Sequence, residues 1–342
     1  MKALLAEYAT FHDPRLAPEG RVMLDVLSRS FARCGYEVVT PDGSDFLGEI
    51  RRLAPGCDVG LVIAPDHLLF RYTSVLERLT HNVGCGSMNA AICADKAQCG
   101  RILARHGIPV PGEPQPGKQV IKPVAGCGSV NVRLSDEPPG PGEIAQEFID
   151  GENLSVSLVG SRVVGDACSY YTGKPPLLLA VNRQDVQVSP SGEFHYRGGE
   201  TPVDHPRHDE IVETAVRAVQ VLGCQGYVGI DIVLADRPYV VDINPRVTTS
   251  IVGIAACMEE EIADILVQAS RGGGPESVHM RRRARFDSHG TVEFLCLAST
   301  WGELTSRLRR IPGSTPCTVR SGRVFRSGTS SPATGTREGT GP

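Results

Sequence analysis

The sequence predicts an α/β region followed by a larger α+β region. Three observations carry this. Short apolar runs alternate with amphipathic stretches over the first 88 residues, strands that look antiparallel crowd the middle, and two apolar runs separated by four residues form a late hairpin.

In order, "KALLAE", "YEVVT" and "DVGLVIAP" read as strands, with amphipathic stretches from Arg21 to Cys34 and from His67 to Thr80 covering a parallel sheet. No Gly-x-Gly-x-x-Gly comes after the first strand, so a dinucleotide site is not indicated. The first strand runs instead into the long polar stretch "EYATFHDPRLAPEG", at the strand end where open α/β sheets place ligands. A helical pattern runs from Asn89 to Arg105 and stops at "HGIPVPGE". Within it, Asp95 suits a helix cap and Lys96 a phosphate contact, with capping alone the plain alternative for the pair.

Strands "KQVIKPV", "VNVRL", "EIAQEFI", "NLSVSLVG", "SRVVGDACSYY" and "LLLAVNRQ" come next. Helices are expected from His208 to Leu222 and from Glu259 to Ala269, on either side of the hairpin. After Pro312 the chain turns to Gly, Ser, Thr and Pro with little to bury, and a disordered tail is expected. The expected divisions are 1–88, 89–147, 148–311 and 312–342.

Composition narrows the function. With 342 residues, 41% apolar, 22% charged and a net charge of −4, the chain lacks the basic excess that nucleic-acid backbones need. The N-terminus breaks its apolar run at Glu7, and no run approaches the roughly 18 residues of a membrane span. A cytoplasmic protein without nucleic-acid or membrane partners is expected; a homo-oligomer stays open. Eleven cysteines, odd in number and without a C-x-x-C pair, read as reduced thiols.

The hairpin runs are "YVGIDIVL" and "YVVDIN". A symmetric turn pairs Leu234 with Tyr239 and sets Asp231 opposite Asp242. One face then carries Val228, Ile230, Ile232, Leu234, Tyr239, Val241 and Ile243, and the other Gly229, Asp231, Val233, Val240, Asp242 and Asn244. Two like charges roughly 5 Å apart destabilise a sheet, so a cation belongs between them. Carboxylate and amide oxygens suit Mg²⁺ or Mn²⁺, and Arg246 could fork onto a phosphate. A solvated hairpin face with Arg246 on an aspartate is the plain alternative.

In "VIKPVAGCGSVNV", Lys122 leads into Gly126-Cys127-Gly128-Ser129, where glycine amides and the serine hydroxyl could approach phosphate oxygens, or which could be an ordinary turn. It is not a Walker A sequence. "QEFIDGEN" turns at Asp150-Gly151, and its backbone could meet a purine edge while Glu152 or Asn153 reaches ribose hydroxyls.

Taken together and in order, "ADK" before "GIPVP", "VIKP" then "GCGS", "QEFIDGE", and "GID" with "DINPR" resemble the ATP-grasp superfamily of carboxylate-amine ligases, from about Asn89 to Ala269. The resemblance implies an ATP-grasp fold with a Rossmann-like N-terminal domain, and ATP with two divalent ions as cofactors. It implies that Lys96 and Lys122 contact ATP phosphates, that Gly126, Cys127, Gly128 and Ser129 form a phosphate loop, and that Glu147, Phe148 and Ile149 form the adenine hinge. Asp231, Asp242 and Asn244 would hold the metals. The implied chemistry transfers the γ-phosphoryl group to a carboxylate, giving an acyl phosphate that an amine attacks, with Arg246 and Lys122 as catalytic groups. Members that make D-alanine dipeptides carry an arginine where this chain has Gly229; that activity is disfavoured and Arg246 takes the charge-neutralising role.

The N-terminal stretch, the "AVNRQ" strand with Arg183 and Gln184, and the length are similar to the branch that joins the glutamate γ-carboxylate to tyramine in methanofuran biosynthesis. Arg183 would then grip a phosphate or a substrate carboxylate, and Glu7 would meet an ammonium group, cap a helix or face solvent. Another amino-acid ligase and a nucleotide-binding module without turnover are the alternatives.

Overall fold

The computed structural model describes residues 1–114, 119–124, 126, 131–161 and 174–295. Cys127, Gly128 and Ser129, all but the first residue of the expected strand at 161–171, and the expected tail lie outside them.

The N-terminal sheet is parallel, in the order β2-β1-β3-β4, from β1 (Lys2–Glu7), β2 (Glu37–Val39), β3 (Val59–Ile63) and β4 (His81–Asn82). β3 is buried along its whole length, as is β1 beyond Lys2, which is why both read as unbroken apolar runs rather than alternating ones. The stretch after β1 is less of a loop than expected. It holds α1 (Ala9–His12), and α2 (Ala17–Arg33) starts ahead of Arg21 because Pro18 fits the first turn of a helix. α3 (Phe46–Leu53) is capped by Asp45, and α4 (Asp66–Leu76) comes directly after β3.

The single helical pattern at 89–105 is two helices, α5 (Ser87–Ala94) and α6 (Lys96–Arg105). Asp95 breaks it: its backbone is extended, and its carboxylate accepts from Gln98 N at 2.9 Å. A small antiparallel sheet, β6-β5-β7, comes from β5 (Gln119–Pro123), β6 (Arg133–Ser135) and β7 (Glu143–Glu147).

The large sheet is antiparallel, ordered β12-β11-β8-β9-β10-β13-β14 among the described residues. Its strands are β8 (Glu152–Gly160), β9 (Leu177–Val188), β10 (Phe194–Thr201), β11 (Gly226–Leu234), β12 (Pro238–Asn244), β13 (Arg283–Asp287) and β14 (Val292–Leu295). Its helices are α7 (His208–Leu222), α8 (Ile251–Cys257), which the sequence pattern does not announce, and α9 (Ile262–Ala269).

One face of the parallel sheet (Ala3, Leu5, Leu61, Ile63) shares a core with α2, α8 and α9 and with Tyr227 of the large sheet. The other face (Leu4, Ala6, Val62) is covered by α3 and α4. A separate core joins α5, α6 and α7 to Leu154, Val156, Val228 and Ile230. This packing brings the carboxyl end of β3 up to the β11–β12 hairpin, where Asp66 meets Arg246.

Asp231 does pair with Asp242, but the register then shifts, so that Ile232 pairs with Val240, Val233 with Tyr239, and Leu234 with Pro238 instead of Tyr239. Val241 is the extra residue of a β-bulge. The bulge reverses the expected sides of the first half of β12. Val240 is buried in the core, Tyr239 is only half-buried, and Val241 lines a cavity between the sheets.

Candidate active site

The cavity, of about 340 Å³, opens between the small sheet and the large one. Lys96 enters it from the start of α6, whose backbone N–H is tied to Val124 O at the end of β5 (3.1 Å). Lys122 enters from β5. Both lysines are buried, yet each ammonium reaches the hairpin: Lys96 Nζ lies 2.5 Å from Asp242 Oδ1, and Lys122 Nζ donates to Val241 O at 2.7 Å. The second contact falls on the residue that the bulge leaves without a partner in the ladder.

Burial sets the electrostatics and charged neighbours correct it. Burial and the charge of Asp242 push Asp231 up to about 6. Burial also raises Asp242, but Lys96 and Lys122 outweigh it and hold that carboxylate below its usual range. For Lys96, Asp242 and Asp66 overcome burial and keep the ammonium charged. For Lys122, burial wins and pushes it down to about 8, with Lys96 adding to the effect.

Asp231 is steadied by Gln184 Nε2 (2.9 Å) and Asn244 Nδ2 (3.1 Å). Asn244 Oδ1 accepts from Arg246 Nη2 (3.1 Å), and Arg246 Nε reaches Asp66 Oδ1 (3.2 Å). Asp66 Oδ2 lies 3.7 Å from Lys96 Nζ. A closed circuit thus runs Asp231, Asn244, Arg246, Asp66, Lys96, Asp242 and back across the hairpin.

Sequence reasoning missed Asp66, Gln184, Glu19 and Tyr196. Asp66 sits at the carboxyl end of a parallel strand, a position that marks ligand sites, but the polar stretch after β1 carries the stronger local signal. Gln184 stands out in the sequence only as Arg183's neighbour. Glu19 of α2 lines the cavity and accepts from Thr249 Oγ1 at 3.1 Å; nothing in its local sequence sets it apart. Tyr196 lines the same wall, where burial holds its phenol protonated.

Of the expected residues, Lys96, Lys122, Gly126, Glu147, Phe148, Ile149, Asn153, Asp231, Asp242, Asn244 and Arg246 all line this cavity. Glu147, the first residue of the expected hinge, is held twice by Gly112. Glu147 N donates to Gly112 O, and the Glu147 carboxylate accepts from Gly112 N, each at 3.1 Å. A Cβ at Gly151 would collide with Leu234 O, so the turn can hug the hairpin only as glycine.

Glu152 and Arg183 are not among the lining residues. They pair with each other (2.9 Å), half-exposed, and Glu152 also meets His205 at 3.3 Å. Strand alternation is the reason: with Asn153 and Gln184 turned into the cavity, their neighbours point away. Glu7, the last residue of β1, turns its carboxylate to the start of α1, accepting from Ala9 N (2.9 Å) and Thr10 N (2.7 Å). Among the described residues the cysteines are free thiols, and no helix is long and apolar enough to cross a membrane.

A divalent cation fits the donor set by its chemistry. Two carboxylates face each other across the hairpin, and one of them is driven toward neutrality by burial and the other's charge, a penalty that a cation relieves. Among the described residues no three His, Cys, Asp or Glu side chains cluster suitably, so the protein would supply two carboxylates and the Asn244 amide, and phosphate and water the rest.

Comparison with known proteins supplies the family. A model of the ATP-grasp domain matches residues 93–250. The tyramine–L-glutamate ligase of Methanocaldococcus fervens is 34% identical over 62% of this chain and 65% of its own length, slightly under two thirds. That of Methanocaldococcus jannaschii is 30% identical over 78% of this chain and 88% of its own length. The chain belongs to the ATP-grasp superfamily. A solved ATP-grasp superfamily protein from Archaeoglobus fulgidus superposes with a TM-score of 0.68 at 32% identity, covering 84% of this chain and 92% of that one.

Proposed function

We propose that this ATP-grasp protein is an ADP-forming carboxylate-amine ligase that joins the γ-carboxylate of glutamate to tyramine through an acyl phosphate. The observation that carries the reading is the convergence of Lys96, Lys122, Asp231, Asp242, Asn244 and Arg246 on one cavity that Glu147, Phe148 and Ile149 also line. The similarity to the two tyramine–L-glutamate ligases supports the substrates.

In this reading Phe148, Ile149 and the hinge backbone hold the adenine. Lys96 and Lys122 hold phosphate oxygens and neutralise their charge, while Arg246 neutralises the carboxylate as it is phosphorylated. Asp231, Asp242 and Asn244 hold Mg²⁺ or Mn²⁺, which when bound supplies Lewis-acid stabilisation of the transferring phosphoryl group. Gly126, the described residue of the expected phosphate loop, lines the phosphate end, and the wall of Glu19, Tyr196 and Thr249 faces the amino-acid end. Residues 1–88, 89–147 and the described residues from 148 to 295 act as three lobes around this site.

Gly229 argues against a D-alanine dipeptide product. A Cβ there would lie 2.6 Å from Thr248 Cγ2, so an arginine at 229 has no room unless Thr248 moves.

A phosphate-release screen of carboxylates against amines, with ATP and Mg²⁺, tests the reading. ADP, phosphate and γ-glutamyltyramine are expected from glutamate and tyramine. Turnover with other pairs only would overturn the substrates, and no ADP with any pair would favour a binding module.

A further inference from the structure

Asp66 is contributed to the circuit by the parallel sheet, at the first residue of α4, and is 1% exposed. Only one of its oxygens is hydrogen-bonded among the described residues. Oδ1 accepts from Arg246 Nε; Oδ2 is buried without a donor, with Lys96 Nζ at 3.7 Å. An acceptor left in this state is costly to keep. The nearby ammonium carries three protons and donates to Asp242.

The arrangement poses a conflict. Asp242 Oδ1 is the atom that the Lys96 ammonium meets, and it belongs to a carboxylate that the proposed function assigns to a metal. A cation arriving at Asp242 must displace a buried ammonium that burial has already made hard to leave unpaired. Asp66 Oδ2, at 3.7 Å, offers a berth about half an ångström beyond hydrogen-bond reach.

We propose that Asp66 is a positioning residue: it receives the Lys96 ammonium when a divalent cation takes Asp242. This rests on the assignment of Asp242 to the metal. Lys96 then keeps its charge at the cavity wall, with protons to spare for a phosphate oxygen, and Arg246 stays anchored on Oδ1. Without Asp66, metal and ammonium compete for one carboxylate with no relief.

The test is Mn²⁺ affinity, read by electron paramagnetic resonance on the full chain with saturating ADP, in native protein, Asp66→Asn, Lys96→Met and the double variant. Asp66→Asn is expected to weaken Mn²⁺ about tenfold in the native background and by less than about twofold in the Lys96→Met background, where no ammonium competes. Equal weakening in both backgrounds would mean a merely structural role and overturn the proposal, as would no weakening in either. Native protein that binds no Mn²⁺ would overturn the metal assignment itself. Should Asp66→Asn fail to fold, the native chain solved with ADP and Mg²⁺ decides: Lys96 Nζ is expected within hydrogen-bond distance of Asp66 Oδ2, and Lys96 still on Asp242 Oδ1 beside the metal would contradict it.

Discussion

Lys122 Nζ donates to the carbonyl oxygen of Val241 at 2.7 Å, and Val241 is the residue that the hairpin bulge leaves out of the ladder. A lysine of the small sheet is thereby locked to the strand of the large sheet that carries Asp242. The bulge keeps Asp231 and Asp242 opposite each other while returning Val240 to the core. A regular ladder would have paired Val241 with Ile232 and placed it inward.

Asp242→Ala should lower ATP-dependent ligation by at least about a hundredfold, as for loss of one preorganised electrostatic group. The fold should survive, because Asp242 lies on the cavity side of β12. Phosphate release and far-ultraviolet circular dichroism check the two halves of this; near-normal turnover would remove Asp242 from the machinery.

The pH dependence of kcat/KM for ATP reports groups in the free enzyme. Asp231, raised to about 6, must be ionised to hold a cation, and Lys122, lowered to about 8, must be protonated to hold phosphate. A bell with limbs near these values is expected. Lys122→Arg should carry the upper limb to higher pH, since a guanidinium stays charged.

Asp231→Asn should stabilise the ligand-free protein while abolishing ligation. The folded pKa of Asp231 lies above its ordinary 3.8, so its stabilising contribution is complete below that value and is lost as pH rises through about 6. At pH 7.5 the amide should therefore gain about 1–3 kcal/mol. Thermal melts should show the gain shrinking toward pH 4.

Adjacent residues on β9 should behave oppositely. Arg183→Ala removes a half-exposed pair with Glu152 and should leave kcat/KM within about twofold. Gln184→Ala removes a donor to Asp231, so a higher Mg²⁺ requirement is expected, read as a raised activation constant for the metal.

These contrasts mark what the sequence made legible. The pairing of the two hairpin aspartates and the cap ahead of Lys96 were readable because each rests on local pattern: alternation across a turn, and a short acidic residue before a helix. The bulge at Val241 was not, since either register keeps apolar residues on the core face and only packing against α7 and Pro109 chooses between them; Val240 N donates to Pro109 O at 2.9 Å. Asp66 was invisible for a different reason. Its partners, Lys96 and Arg246, lie 30 and 180 residues away in sequence, and only the docking of the parallel sheet on α8 and α9 brings them together. That Arg183 pairs with Glu152 outside the cavity lining was not readable, because a strand's charged residues look alike until their facing is known.

The most direct measurement traces oxygen from glutamate labelled with oxygen-18 in its γ-carboxylate. With ATP, Mg²⁺ and tyramine, transfer of one labelled atom into each released phosphate is predicted, since the acyl phosphate hands over a carboxylate oxygen when the amine attacks. Unlabelled phosphate accompanying ADP, or label appearing in AMP, would contradict phosphorylation of the carboxylate at this site.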